Sequence, residues 1–156
     1  MLTALYQFIT AGDTSGMDAD RAAAFATVRS MIQTTPPVLP PNTPWRMYPE
    51  VIAEGVKYPA IRYQLITDTA EMTQSGDSGL YMPRVQFDVL TSNAIDRDTL
   101  GKALFNALQG FSGPMGGGSP LISTNTCVLI FDNAIDNHDP DRLLYRRMLD
   151  FHVIHN

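Results

Sequence analysis

Between residues 81 and 111 a strand pattern hands over directly to a helix pattern, and no other stretch restricts the fold as tightly. Val85, Phe87 and Val89 alternate with Arg84, Gln86 and Asp88, the period-two signature of a strand with one buried and one wet face. Thr91, Ser92 and Asn93 break the alternation. Leu100, Leu104, Leu108 and Phe111 then recur at spacings of four and three with Ala103 and Ala107 beside them, so they share one face of an amphipathic helix. Asp96 stands where an N-cap would, and Gly110 supplies the stop. A strand and a helix that each carry one apolar face bury those faces against each other. The rest of the chain reads as sheet partners, loops and N-terminal helices for this unit.

Leu2, Leu5, Phe8 and Ile9 have helical spacing that ends at Gly12. Asp18 or Asp20 can cap a second helix through Ala22, Phe25, Val28, Arg29 and Ile32. Residues 35–44 then hold Pro36, Pro37, Pro40, Pro41 and Pro44, which remove donors and fix φ, so the segment reads as a stiff extended connector and not as a PxxP ligand. Residues 45–51 can form a first short strand, which Pro49 confines to an edge or a strand end. Ile61, Tyr63 and Leu65 alternate with Arg62 and Gln64 in a stronger one. After the central helix, Gly113, Gly116, Gly117 and Gly118 mark a flexible link without the lysine and hydroxyl of a phosphate-binding loop. Strand patterns follow at 121–132 and 143–154, the second turning Leu149, Phe151 and Val153 towards the core.

The chain of 156 residues is most simply one domain, with a helical region at 1–34, the proline-rich connector at 35–44 and a sheet-and-helix core at 45–156. Its net charge of −5 argues against gripping nucleic acid by phosphate neutralisation, which needs a basic face. Charged residues are only 17% of the chain, so its surface relies on neutral polar groups, which suits protein partners. Cys127 lies alone in an apolar run and reads as a small buried hydrophobe. The apolar opening is short and has no basic residue ahead of it, so neither a signal peptide nor a membrane span is expected, and the chain should stay in a reducing cytoplasm.

The long polar segment 68–79 joins two good strands with far more residues than a hairpin needs. The surplus marks it as a candidate interface arm, carried by Asp68, Thr69, Glu71, Met72, Gln74 and Asp77. Elsewhere the site inventory is negative. Asp132, Asp136, Asn137, Asp139 and Asp141 crowd what reads as a turn before the last strand, but without the spacing of a calcium loop. A small metal- or ligand-binding domain using residues 132–141 stays as the competing class. His152 and His155 would point to opposite faces of a strand. Asp88 and Asp150 sit on wet strand faces, where pairing with Arg84, Arg146 or Arg62 is their ordinary role. No nucleophile elbow, metal set or cofactor motif is present, so no catalytic, cofactor or metal residue is assigned.

The order of elements, together with Arg46-Met47-Tyr48-Pro49, Tyr58-Pro59-Ala60-Ile61, Arg84-Val85-Gln86-Phe87-Asp88-Val89 and Arg146-Arg147-Met148-Leu149-Asp150-Phe151-His152-Val153, resembles the tail terminator or tail completion proteins of long-tailed bacteriophages and prophages. The resemblance runs from about residue 45 to the end of the chain. It implies an α+β fold, an antiparallel sheet of four to five strands with the N-terminal helices and one amphipathic helix packed on one face. It also implies a non-enzymatic, cofactor-free virion protein of the tail or neck, assembled in the host cytoplasm. Such proteins form a homo-oligomeric ring, commonly a hexamer, that caps the tail tube, ends its polymerisation and meets the head-completion or connector protein. DNA would pass the pore without specific binding, and no membrane is involved. A neighbouring neck or head-completion component has the same outline.

Overall fold

A computed structural model describes residues 2–10, 16–33, 45–52, 54–68, 70–74, 76–115, 124–141 and 143–155. The connector at 35–44 and Gly116, Gly117 and Gly118 lie outside the described residues, as does the side chain of Cys127. The elements are α1 (Leu2–Thr10), α2 (Ala19–Ile32), β1 (Met47–Pro49), β2 (Ala60–Thr67), β3 (Ala70–Thr73), β4 (Gly76–Tyr81), β5 (Arg84–Thr91), α3 (Ala94–Leu108), β6 (Ser112–Met115), β7 (Thr124–Asp139) and β8 (Leu144–His155).

The α+β class is as expected, but among the described residues the sheet has eight strands and not four or five. It is also mixed: β1 runs parallel to β2, and the other pairings are antiparallel. β8 is the spine. Along one edge it pairs with β5, from Thr91↔Tyr145 to Arg84↔His152, and β4 continues the same register at Tyr81↔His155. Along its other edge it pairs with β7 from Cys127↔His155 to Asp139↔Leu144. β2 flanks β5, β1 closes that side at Pro49 as a residue without a ladder donor requires, and β6 flanks β7.

The extra strands come from segments read as loops. The Ala and Glu of β3 and the Gly and Ser of β4 and β6 carry little strand propensity, so pairing with a neighbour decides their conformation. β7 extends through Asp132 to Asp139, where the acidic sequence suggested a turn, because Asp136 faces Arg147 across the ladder. A bulge between Phe131 and Asn133 absorbs the change of register.

All three helices pack on one sheet face, as expected. Val85, Phe87 and Val89 of β5 and Leu149, Phe151 and Val153 of β8 meet Leu100, Leu104 and Leu108 of α3 in one core, to which α1 adds Leu5 and Ile9 and α2 adds Phe25, Val28 and Ile32. Phe87, Phe151, Phe131 and Phe105 form a chain of edge-to-face rings through it. Asn93, not Asp96, caps α3: its side-chain oxygen accepts from the Asp96 backbone N–H at 2.7 Å. Asn93 is the better cap because it holds an extended backbone at the last non-helical position, whereas Asp96 is already in the first turn. Gly110 follows the helix end with φ 65°, the left-handed stop.

Each helix C-terminus receives an arginine from elsewhere in the chain. Arg29 of α2 donates to the Ile9 carbonyl of α1 at 2.9 Å, Arg46 to Met31 of α2 at 2.5 Å, and Arg21 to Ala107 and Gln109 at the end of α3 at 3.1 and 3.0 Å. α1 and α3 have no basic residue in their own last turns, so these guanidiniums satisfy orphan carbonyls and the negative dipole ends at once.

Candidate assembly surface

The segment expected as a candidate interface arm forms a β-hairpin. β2 pairs with β5 as far as Thr67↔Arg84, and β3 and β4 carry the two rails outward through Ala70↔Tyr81 and Met72↔Asp77 to Thr73↔Gly76. The backbone places Glu71 and Met72 in β3, Asp77 in β4 and Gln74 at the tip. Asp68 and Gln74 are exposed, and Thr69 lies outside the described residues. Among the described residues β3 pairs with β4 alone. The arm joins the body through Tyr81, which pairs with His155 and stacks on its ring at 5.5 Å. Burial holds the His155 imidazole below its ordinary value.

The sheet face away from the helices is knit by charge. Asp88 and Asp150, expected on a wet face, are only 1% and 6% exposed. Arginines from neighbouring strands cover them. Asp88 accepts from Arg62 through both Nε and Nη2, from Arg146 at 2.8 and 3.1 Å, and from Gln86 at 2.8 Å. Asp150 accepts from Arg84, which also reaches Asp132 at 3.4 Å, and the Asp150 bond raises the Arg84 guanidinium further above its ordinary value. The pairing expected for Asp88 and Asp150 is therefore present, and it is central to this face. On the helix side of the sheet, where Arg147 lies against Gly101 of α3, Arg147 donates to Asp136 at 2.6 and 2.7 Å, and that bond holds the Asp136 carboxyl below the usual range.

These pairs occupy Asp132 and Asp136 of the supposed cation loop. Among the described residues no group of three or more His, Cys, Asp or Glu is arranged to hold a metal ion. His152 lies 3.8 Å from Asp132, His155 stacks on Tyr81, and His138 meets the Tyr145 ring in a tilted contact at 4.4 Å, so the histidines stand apart. No described helix is long and apolar enough to cross a membrane.

Sequence reasoning missed one surface element. Residues 50–52 and 54–58 fold back over the outer face, where Val56 joins Tyr48 and Ala60 in a small second core against Ile52 and Tyr58. They leave a groove of about 660 Å³ facing the β7–β8 turn, floored by Arg62, Asp88 and Arg146. Irregular backbone with one glycine and no periodicity gives no sequence signal for such a wall.

The molecule is thus an α+β scaffold with one helix-covered face, one face closed by ion pairs, and a hairpin arm leaving one end. No protein-family model matches the chain, and no curated protein does. Among solved structures, a chain of the "virion of native gene transfer agent (GTA) particle" shares the fold, with a TM-score of 0.51 at 13% sequence identity, over 99% of this chain and 92% of that chain.

Proposed function

We propose that the chain is a structural subunit of a phage-type particle, working as a ring that caps the tail tube, ends tail polymerisation and joins the tail to the head connector. The observation that carries this reading is the fold shared from end to end with a chain of the gene transfer agent virion. The hairpin supports it, because a two-stranded ribbon that joins the sheet at its base, through Tyr81↔His155, gains from a partner surface. In this reading six copies close the ring, the tail tube protein and the head-completion protein bind its two ends, and DNA passes without specific contact because the subunit is acidic. The ring belongs to the tail or neck of the virion, is built in the host cytoplasm, and has no catalytic or cofactor chemistry.

Native mass spectrometry of the purified chain, alone and with tail tube subunits, tests the proposal. A closed cyclic oligomer is expected, and a monomer under both conditions counts against it. A second reading, a neighbouring neck or head-completion component, draws on the same likeness, which names a particle and not a position within it. Binding to the head connector without binding to tail tube subunits would favour that component.

A further inference from the structure

Proline blunts the sheet edges at β1 and β6, where Pro49 and Pro114 offer no donor. The far half of β7 and the outer rail of β3 carry no proline. In the near half of β7, Leu129 turns its backbone away from β8: it donates to the Phe111 carbonyl at 3.0 Å and accepts from the Gly110 N–H at 2.9 Å. The Phe131 N–H is taken by Gln109 Oε1 at 2.7 Å. Alternate residues of a ladder face opposite sides, and the bulge after Phe131 shifts the count by one, so beyond it Ala134, Asp136 and His138 face away from β8. The His138 N–H donates to Asn137 Oδ1 at 2.7 Å. The amides of Ala134 and Asp136 have no partner among the described residues, in a stretch that is exposed from 132 to 138.

Both flanks of this edge suit an added strand. On the helix side Gly101, Lys102, Phe105, Phe131 and Ala134 line a notch of about 280 Å³, and on the other side Ile135 is 48% exposed. The Asp136 carboxylate is already held by Arg147, whereas Lys102 is exposed and enters none of the ion pairs of the described residues. A strand laid here bonds to both amides, fills the notch, covers Ile135 and is favoured by a carboxylate near Lys102.

We propose that this strand is β3 of a second copy. Among the described residues β3 has an unpaired rail of its own, and its four residues suit so short an open run. Ala70-Glu71-Met72-Thr73 supplies one carboxylate and one large apolar side chain, and Asp68 and Asp77 make the arm acidic, opposite in sign to Lys102. Joining the β3 edge of one copy to the β7 edge of the next is a head-to-tail contact, the kind that closes into a ring. The contact rests on the ring reading and supplies what holds neighbouring subunits together.

The test uses two full-length variants that each keep one half of the contact. Ala134→Pro removes an amide that bonds to no strand of its own chain, so the monomer's melting temperature should hold while native mass spectrometry shows the ring lost. The chain with residues 69–78 replaced by Asn-Gly keeps the β7 edge and lacks β3. Mixed, the two should form a heterodimer that grows no further. Lys102→Glu in the arm-cut chain should weaken that heterodimer roughly tenfold, and Glu71→Lys in the other should restore it. If proline disturbs the monomer, the same charge swap made in the intact ring decides. A wild-type chain that stays monomeric, alone and with tail tube subunits, removes the ring reading and this contact together. Rings that form as readily from Ala134→Pro, a mixture without heterodimer, or a charge swap that restores nothing would overturn the contact and leave the ring standing. So would protection of residues 132–138 from hydrogen exchange only when tail tube subunits are added, which would give the edge to another protein.

Discussion

Gly101 of α3 lies directly against Arg147 of β8: a Cβ added at Gly101 would stand 2.6 Å from Arg147 Cδ. Alanine would favour the helix by about 1 kcal/mol. It would also push Arg147 out of its two bonds to Asp136 and its 3.2 Å pair with Asp98. Gly101→Ala is therefore expected to lower stability by about 1–2 kcal/mol in urea unfolding. The double variant Gly101→Ala/Arg147→Ala should recover most of it, and a simple sum of the two single effects would disprove the contact.

The Asp88 cluster makes an asymmetric prediction. Asp88→Asn keeps the shape but leaves Arg62 and Arg146 facing each other without a counter-charge, at a cost of about 3 kcal/mol. Replacing all three residues by Met and Leu should be close to neutral, since the desolvation of the ions disappears with them. Equal losses for the single and triple variants would show that packing, not charge, holds this face.

Acid should loosen the arm before it unfolds the body. His155 has its folded value below the ordinary 6.5 through burial, so the neutral ring is the form the fold favours. The stability this gives is whole above the unfolded value and is lost as pH falls through the lower folded one. Because His155 stacks on Tyr81 at the base of the arm, hydrogen-exchange protection around Tyr81 should fall between about pH 7 and pH 5. His155→Phe should abolish that dependence. Asp136, held low by Arg147, acts further down: its contribution is present above the ordinary carboxylate value and is lost only as pH falls below it.

Cutting back the arm separates folding from assembly. Replacing residues 69–78 by Asn-Gly closes the ribbon at β2 and β5 with a favoured turn. The melting temperature should change by no more than a few degrees, because among the described residues β3 pairs with β4 and no other strand. Oligomer formation should be lost, and a shortened chain that still forms rings would remove the arm from the interface.

Asn93→Ala should cost about 1 kcal/mol as a lost N-cap, and Asp96→Ala, which gives up its 2.7 Å bond from Asn93 Nδ2, distinctly less. The reverse order in thermal unfolding would return the cap to Asp96.

How much of this was legible in the sequence depends on whether a residue answers to its neighbours in the chain or to partners far away. β5, α3 and β8 were readable because their apolar periods match the face they bury, and Pro49 correctly marked an edge. β3, β4 and β6 were not, since the Ala and Glu of β3 and the Gly and Ser of β4 and β6 favour no strand until another strand lies alongside. The Asp132–Asp139 stretch reads as turn chemistry, yet Arg147 and Arg84, distant in sequence, hold it in the ladder. The arm was legible only as surplus length. Arg21, Arg29 and Arg46 gave no hint that they serve the ends of helices, because a donor's target is set by tertiary packing.

The two rails of the long hairpin also fix how it responds to force. Antiparallel hydrogen bonds lie perpendicular to their strands, so a pull on Gln74 along the ribbon runs down β2 and β5 and loads their bonds sideways. β5 is held against β8 by eight consecutive partners, from Arg84↔His152 to Thr91↔Tyr145, which must slip together and cannot unzip in succession. A peel across the ribbon would meet the Tyr81–His155 contact at its base. The arm is therefore strong under tension and weak under tearing, a tether whose holding power depends on the direction from which its partner draws on it.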